Sequence, residues 1–223
     1  MRQSPSNSQP LIMDINPESA VAEAYRAIRT RIAFPTDGKE LKVIMITSTK
    51  KGEGKSSTAA NIAISIAQTG KKVVLIDADM RRPALHQMFG AINHTGLANF
   101  LANLSVEPGE IVRSMHIENL YFVPSGLTPS NPAELLTMTR MDELLHYLKD
   151  VYDVIIIDTP PALSVSDAQI VAAKSDGVVV VVEYGKVNRS NAKKVSFYLN
   201  QVNAKLLGVV LNKVKRKGLH VYQ

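Results

Sequence analysis

The chain has 223 residues, of which 45% are hydrophobic and 21% charged, and it contains neither cysteine nor tryptophan. This length and composition predict one α/β domain with a sizeable core and exclude a disordered or collagen-like protein. The absence of cysteine excludes disulfides, thiolate metal sites and a cysteine nucleophile. Residues 1–10 are polar, without the apolar segment of a signal peptide, and no apolar run is long enough for a membrane span. We therefore expect a soluble cytoplasmic protein.

The net charge of +6 is unevenly distributed. The last 40 residues hold nine of the 26 lysines and arginines and none of the 20 acidic residues. Such asymmetry indicates an acidic protein partner, a membrane surface or nucleic acid, and a solvated basic face is an equally good interpretation. Because no aromatic-rich platform accompanies the basic residues, nucleic acid is the least favoured of these partners.

The chain begins with residues 1–16, whose Ser, Asn, Gln and Pro content predicts a flexible N-terminal arm. Asn16 as cap and Pro17 in the first turn predict a helix over 17–33. Continuous apolar runs then alternate with helical patterns. We predict strands at 42–47, 73–76, 120–123, 154–157, 178–182 and 206–211, and helices at 55–68, 138–149, 166–173 and 189–202. This alternation predicts a doubly wound, mostly parallel sheet flanked by helices over 17–212, followed by a basic tail at 213–223.

The first predicted strand leads into a glycine-rich loop and then a helix. Gly52, Gly54, Lys55 and Ser56 form the second half of a phosphate-binding loop, although Thr49 replaces its usual first glycine. Glycines let the backbone wrap around phosphates, the lysine reaches the outer phosphates, and the serine hydroxyl can bind Mg²⁺. A glycine-rich turn with a chance lysine is the competing interpretation, and the strand–loop–helix setting disfavours it.

Two further predicted strands end in carboxylates. Asp77 and Asp79 follow one strand, and Asp158 follows another. In an open parallel sheet, ligands bind at the carboxyl ends of the strands, so these side chains are expected to lie around the phosphate loop. An aspartate in such a position can also cap a helix or a turn. Three aspartates beside a Gly-Lys-Ser loop favour the oxygen ligands of a nucleotide-bound Mg²⁺.

At these residues the sequence resembles the bacterial tyrosine kinases of the P-loop type that controls capsule and exopolysaccharide synthesis. The wider relatives are the MinD/ParA-like ATPases with deviant phosphate loops. The likeness extends from about Glu18 to Lys213, with 52–56 similar to Walker A, 74–81 to the family's second acidic motif and 155–160 to Walker B. The resemblance implies a P-loop NTPase fold.

The resemblance also implies ATP and Mg²⁺ as cofactors and transfer of the γ-phosphoryl group to tyrosine hydroxyls. It implies catalytic roles for Lys55, Asp77, Asp79 and Asp158, with Ser56, Asp79 and Asp158 around the metal. Asp77 is the candidate to accept or orient the tyrosine proton, and the division among the three aspartates stays open. The residues expected to contact ATP are Lys51, Gly52, Glu53, Gly54, Lys55, Ser56, Ser57 and Asn212. Asn212 resembles an adenine-reading asparagine, and an ordinary strand-end turn residue is its alternative.

A second match lies in the first predicted helix. Glu23, Arg26 and Arg29 fall close to one helix face, and they resemble the Glu-x-x-Arg-x-x-Arg helix through which these kinases associate into rings. An intrahelical salt bridge on a solvated face is the alternative from spacing alone. The resemblance favours a subunit interface, for which the planar guanidinium of arginine is well suited.

The sequence departs from the family's pattern in its tail, where Tyr222 is the only tyrosine in place of a cluster and is therefore the possible phosphoacceptor. Lys50 lies where MinD/ParA-like ATPases place their signature lysine, although an ordinary exposed loop lysine is the favoured interpretation. An ATPase switch is therefore an alternative function, and a non-catalytic nucleotide-binding scaffold is another. The resemblance implies a transmembrane activator or adaptor protein as partner, protein-tyrosine substrates, and recruitment to the inner face of the cell membrane. A segment of that adaptor or the anionic leaflet fits the basic tail.

Overall fold

The computed structural model describes residues 11–34, 38 and 40–214, and the tail tyrosine Tyr222 lies outside them. The strands are β1 (Val43–Ser48), β2 (Val73–Asp77), β3 (Arg113–Ser114), β4 (Leu120–Val123), β5 (Val154–Asp158), β6 (Gly177–Glu183) and β7 (Leu206–Asn212). The α-helices are α1 (Ile12–Ile15), α2 (Ala20–Ala33), α3 (Lys55–Ala67), α4 (Leu85–Met88), α5 (Leu97–Ala102), α6 (Pro132–Thr137), α7 (Thr139–Val151), α8 (Asp167–Ala173) and α9 (Arg189–Gln201). A short 3₁₀ helix covers Pro108–Ile111.

The strands form one seven-stranded sheet in the order β3-β4-β2-β5-β1-β6-β7. Every neighbouring pair is parallel except β3 with β4. Since β2, β5 and β1 are adjacent and parallel, their carboxyl ends meet at one edge of the sheet. The predicted doubly wound, mostly parallel sheet is confirmed. The six predicted strands correspond to β1, β2, β4, β5, β6 and β7, and β3 is an additional short strand.

The hydrophobic core lies on both faces of the sheet. All residues of β1, β2 and β5 are buried, because helices cover each face of these strands. One face packs against α1, α2 and α3, and the other packs against α5, α7, α8 and α9. The β-branched runs that predicted the strands therefore fill the interior of a three-layer α/β/α domain. Among the described residues, no helix is long and apolar enough to cross a membrane.

The last strand is less covered than the predicted sheet flanked by helices implies. β7 lies at the edge of the sheet, and Leu206, Val209 and Leu211 are exposed. A continuous apolar run does not distinguish an edge strand from a central one, because the two have the same backbone geometry. The carboxyl end of β7 nevertheless contacts the phosphate loop.

The N-terminal helix begins later than the sequence indicates. Asn16 is the C-terminal cap of α1, and the N-terminal cap of α2 is Ser19, whose hydroxyl accepts a hydrogen bond from the Ala22 amide at 3.1 Å. The prediction of Asn16 as the cap is therefore wrong, because serine three positions later supplies the same acceptor. The structure also differs from a flexible arm at residues 11–16, since Leu11 and Met13 are buried against α3.

Candidate active site

The phosphate loop joins the end of β1 to the start of α3. Gly52 and Gly54 have φ values of +86° and +92°, a left-handed conformation that glycine adopts without steric cost. These turns bring the backbone back on itself and direct it into α3, which begins at Lys55. The first amides of a helix have no partner within it, so the loop and helix start together form an anion-binding site.

The carboxylate of Glu53 stabilises the loop from within. It accepts hydrogen bonds from the Thr49 amide at 2.8 Å, the Thr49 hydroxyl at 2.9 Å and the Lys50 amide at 2.9 Å. Both Glu53 and Thr49 are buried. Thr49 therefore replaces the usual glycine with a side chain that has its own partner. The Glu53 side chain is used inside the loop, which leaves its backbone amide for any contact with a nucleotide.

The end of β7 fastens the other side of the loop. The Asn212 amide nitrogen donates to the Glu53 carbonyl at 2.9 Å, and Lys213 Nζ donates to the Gly52 carbonyl at 2.6 Å. A Cβ atom on Gly54 would lie only 2.0 Å from Asn212 Nδ2, so the close approach requires glycine. The structure thus brings Asn212 to the phosphate loop, and its contact with ATP stays a prediction.

Lys55 lies between two of the predicted aspartates. Its Nζ atom is 2.8 Å from Asp79 Oδ2 and 3.3 Å from Asp158 Oδ2, and it also donates to the Ser56 hydroxyl at 3.1 Å. Burial alone would lower the pKa of Lys55, but the charges of Asp158 and Asp79 outweigh burial and raise it. Lys55 therefore remains an ammonium and holds a positive charge in front of the phosphate loop.

Asp77 is fully buried beside Asp158, which it faces across the β2–β5 pairing. Its carboxylate accepts hydrogen bonds from the backbone amides of Asp79, Ala84 and Leu85 at 3.1–3.2 Å. Burial, with the added repulsion of Asp158, raises the pKa of Asp77 to about 8. The pKa of Asp158 is raised by burial too, although Lys55 and a hydrogen bond from Ser56 oppose that effect.

A cavity of about 410 Å³ opens in front of these groups. It is lined by Lys51, Gly52, Gly54, Lys55, Ser56, Ser57, Asp79, Arg81, Arg82, Ala84, Pro160, Pro161, Ser164 and Val165. Asp79 forms part of the cavity wall, and Asp77 and Asp158 are fully buried in the sheet beneath it. The predicted phosphate loop and acidic residues therefore converge on one concave site at the carboxyl ends of β1, β2 and β5.

The residues predicted to hold Mg²⁺ fit a hard cation. Ser56 and Asp158 are hydrogen-bonded to each other, and Asp79 reaches the same ammonium group as Asp158. Hydroxyl and carboxylate oxygens are the ligands that Mg²⁺ prefers, usually together with phosphate oxygens and water. Within the described ranges no three His, Cys, Asp or Glu side chains are grouped to hold a metal by themselves. The donor set thus matches a cation bound jointly with a nucleotide.

The predicted interface residues of α2 have partners within the chain. Arg26 forms an ion pair with Glu23 at 2.9 Å and donates to the Pro17 carbonyl at 2.6 Å. Arg29 donates to the Ser65 carbonyl on α3 at 2.8 Å. The Glu23–Arg26 pair is the intrahelical salt bridge that spacing alone favoured, and the subunit interface stays a prediction.

Sequence reasoning missed the ion pair that supports one cavity wall. Arg81 donates two hydrogen bonds to the fully buried Asp167 at the start of α8, at 2.9 and 3.0 Å. The run Arg81-Arg82-Pro83 after the acidic motif marks a functional segment in the sequence. No sequence pattern, however, pairs Arg81 with a residue 86 positions away. Glu53 was expected to contact ATP, and its bracing of the loop was also missed.

Comparisons with known proteins place these motifs in a family. Residues 41–211 match the AAA domain family. The chain is 45% identical over 178 residues to the tyrosine-protein kinase YwqD of Bacillus subtilis, covering 80% of this chain and 75% of that protein. It is 41% identical over 180 residues to the tyrosine-protein kinase CpsD of Streptococcus agalactiae, covering 80% and 77%. The solved kinase domain of Escherichia coli tyrosine kinase ETK superposes with a TM-score of 0.88 at 31% identity, covering 99% of this chain and 86% of that one.

Proposed function

This chain belongs to the bacterial tyrosine-protein kinases, and we propose that it transfers the γ-phosphoryl group of ATP to tyrosine hydroxyls. The observation that carries the proposal is the ammonium of Lys55, which is largely shielded from solvent and lies between Asp79 and Asp158 beside the phosphate loop. Phosphoryl transfer requires mainly positioning and charge stabilisation, and this arrangement provides both.

Different residues of the site would bind different parts of the nucleotide. Backbone amides of the loop and the start of α3 would hold the phosphates, and Lys55 would balance the charge that develops on the transferred group. Ser56, Asp79 and Asp158 would hold Mg²⁺, which supplies charge neutralisation on the β- and γ-phosphates when bound. Asn212 would lie beside the base, because it contacts the loop from β7, and β7 lies on the other side of β1 from the strands β2 and β5 that carry the aspartates.

Asp77 is our candidate to accept or orient the tyrosine proton. Its raised pKa brings its basicity closer to that of a phenol, which favours proton transfer in the transition state. Its hydrogen bonds to the Ala84 and Leu85 amides support a second role, holding the loop after β2 in place. The two roles differ in their pH dependence, so kcat profiles of Asp77→Asn and wild type distinguish them.

The cellular setting follows from the family resemblance. We propose that the kinase regulates capsule or exopolysaccharide synthesis, phosphorylates itself as well as other proteins, and binds a transmembrane activator that recruits it from the cytoplasm to the inner face of the membrane. Glu23, Arg26 and Arg29 would contribute to a ring-shaped homo-oligomer. Glu23 supports this role, because its side chain stays largely exposed on the helix face while it pairs with Arg26.

An ATPase switch is the second candidate function, favoured by one observation. Lys50 is exposed on the phosphate loop while Glu53 holds its backbone amide, so its side chain projects from a fixed position. A lysine so placed can reach the nucleotide of a partner copy. The switch predicts that Lys50→Ala abolishes ATP hydrolysis, whereas the kinase tolerates this change.

A phosphotyrosine map tests the proposed kinase. The protein is incubated with Mg-ATP and analysed by mass spectrometry, with Tyr222→Phe and Asp77→Ala beside wild type. We expect phosphate on tyrosine in wild type, a change in the labelled position in Tyr222→Phe, and loss of label in Asp77→Ala. ATP turnover without phosphotyrosine, on this chain or on an added tyrosine copolymer, would contradict the kinase and favour the switch. ATP binding without any turnover would favour a scaffold.

A further inference from the structure

Besides residues of the phosphate loop, the lining of the cavity includes an apolar group, Pro160, Pro161 and Val165, and a basic group, Arg81 and Arg82. We call this part of the cavity the acceptor cleft. Its apolar group is tied to β1, because the Thr47 hydroxyl donates to the Pro160 carbonyl at 2.8 Å and the Ala162 amide donates to the Ser48 carbonyl at 2.8 Å.

The basic residues of the cavity are not equally available to a ligand. Lys55 is engaged by two aspartates, and Lys51 lies on the phosphate loop where the nucleotide phosphates would bind. Arg81 is neutralised by its two hydrogen bonds to the buried Asp167. Arg82 is exposed and forms no ion pair with any residue in the described part of the chain. Its guanidinium is therefore the positive charge of the cleft that remains available.

The backbone of Arg82 lies next to the residues proposed to carry out phosphoryl transfer. Its backbone amide donates to Asp79 Oδ1 at 3.1 Å, while Asp79 Oδ2 lies 2.8 Å from Lys55 Nζ. The backbone of Arg82 is thus fixed at the edge of the site where the γ-phosphate would lie, and its side chain extends from there. The Arg82 side chain is therefore placed to contact a substrate that approaches the transferred phosphoryl group.

We propose that the acceptor cleft binds the substrate tyrosine and that, among the tyrosines of other proteins, Arg82 favours those flanked by acidic residues. This inference rests on the proposed kinase function and names its substrate class. The tyrosine ring packs against Pro160, Pro161 and Val165, and glutamate or aspartate beside it pairs with the Arg82 guanidinium. In the transfer, the tyrosine oxygen forms the bond to the γ-phosphorus, the bond from that phosphorus to ADP breaks, and the phenolic proton passes to a carboxylate.

Peptide kinetics test the selectivity. The full chain with Mg-ATP is given two peptides with one central tyrosine, flanked on both sides by three glutamates or by three glutamines. We expect kcat/KM to be about 5- to 10-fold higher for the glutamate peptide, as a partly exposed charge pair allows, and the ratio to shrink at high salt. Arg82→Ala lowers this ratio to about 2-fold, and Arg82→Lys retains part of it.

Matched controls separate selection from other effects of lost charge. Arg31→Ala removes one exposed arginine near Leu207 and Gly208 at the start of β7, far from the cleft, and leaves the ratio unchanged. The KM for ATP changes less than twofold in Arg82→Ala. An equal loss for both peptides together with a raised KM for ATP would overturn the inference, because Arg82 would then bind the nucleotide. Equal kcat/KM for the two peptides in wild type would overturn it as well.

A binding measurement keeps the inference distinguishable from the proposed function. The same two peptides with phenylalanine in place of tyrosine are labelled and titrated with the protein and a non-hydrolysable ATP analogue. We expect the glutamate peptide to bind more tightly, with the preference reduced in Arg82→Ala. If the protein binds the glutamate peptide more tightly but transfers phosphate to no tyrosine, the result contradicts the kinase and supports the acceptor cleft. If it phosphorylates tyrosine but binds both peptides equally, the result supports the kinase and contradicts the proposed role of Arg82.

Discussion

The carboxylate of Glu53 lies 2.8 Å from the backbone amide of Thr49, four residues earlier in the same loop. A buried carboxylate thus sits inside a loop that we propose binds negatively charged phosphates. The two uses are compatible, because Glu53 takes the amides of Thr49 and Lys50 and leaves those at the start of α3 for the nucleotide. The loop is held in shape before it meets its ligand, which reduces the entropy lost on binding.

Removing this carboxylate should loosen the loop. We expect Glu53→Ala to lower the free energy of unfolding by about 1–3 kcal/mol, since it leaves buried amides without an acceptor. The KM for ATP should rise by about tenfold in consequence. Urea denaturation and ATP kinetics measure both quantities, and Glu118→Ala, at an exposed position, is the matched control. Unchanged values in Glu53→Ala would show that the loop keeps its shape unaided.

Two glycines of the phosphate loop allow a matched comparison. A Cβ on Gly52 meets nothing within 4 Å, whereas a Cβ on Gly54 meets Asn212 at 2.0 Å, and both residues have positive φ. We expect Gly52→Ala to lower the free energy of unfolding by about 1–2 kcal/mol through backbone strain alone. Gly54→Ala should cost more, and Asn212→Ala in the same chain should recover part of the difference. Equal losses at the two glycines would contradict the close approach of Asn212.

Lys55 should be needed for stability as well as for activity. We expect Lys55→Met to reduce phosphoryl transfer more than 100-fold, and to lower the free energy of unfolding by about 3 kcal/mol because Asp158 is left buried without its partner. Asp158→Asn added to Lys55→Met should restore part of the stability and none of the activity. Denaturation and kinase assays of the two variants check this, and a double variant less stable than Lys55→Met would contradict it.

Asp77 should make stability fall as pH rises. Its pKa is about 8 in the folded protein against an ordinary value of 3.8, so between these values the folded state holds a proton that the unfolded state has lost. Asp77→Asn cannot ionise and should gain stability relative to wild type as pH rises from 5 to 8. Urea denaturation across this range measures the difference, and Asp150→Asn controls for loss of an exposed carboxylate. A constant difference between Asp77→Asn and wild type would contradict the raised pKa.

Two neighbouring arginines should differ in their contribution to stability. Arg81→Ala leaves the fully buried Asp167 without its two hydrogen bonds, and we expect a loss of about 1–3 kcal/mol, moderated because Arg81 is partly exposed. Arg82→Ala should change the free energy of unfolding by less than about 0.5 kcal/mol. Thermal or urea denaturation of the two variants side by side measures this, and a larger loss at Arg82 would show an unrecognised structural contact.

The sequence predicted the central part of the fold and the site because each signal there was local. Continuous apolar runs predicted the buried strands. In a parallel sheet the carboxyl ends of the strands lie at one edge, so an aspartate that ends a strand is expected at that edge. Lys55, Asp79 and Asp158 are therefore brought together as expected. The edge position of β7 could not be predicted in this way. It depends on the order of the strands in the sheet and on which helices pack nearby, and neither is encoded in the apolar run itself.

Contacts between distant residues were the main features that sequence patterns could not supply. Arg81 and Asp167 are 86 positions apart, and neither residue type indicates the other. Glu53 was within reach of Thr49 in the sequence, but the side chain of a loop residue can point inward or outward with equal ease. The same uncertainty applied to Arg26 and Arg29, which lie on one predicted helix yet take different partners, Glu23 and Ser65.

The most direct test of the proposed kinase follows the γ-phosphoryl group of ATP. The protein is incubated with Mg-ATP labelled in the γ-phosphate and with a tyrosine-containing copolymer of glutamate, and label in phosphotyrosine is compared with label in free phosphate. Lys55→Met is the control. We expect label in phosphotyrosine with wild type and none with Lys55→Met. Label found only in free phosphate with wild type would contradict tyrosine phosphorylation by this site.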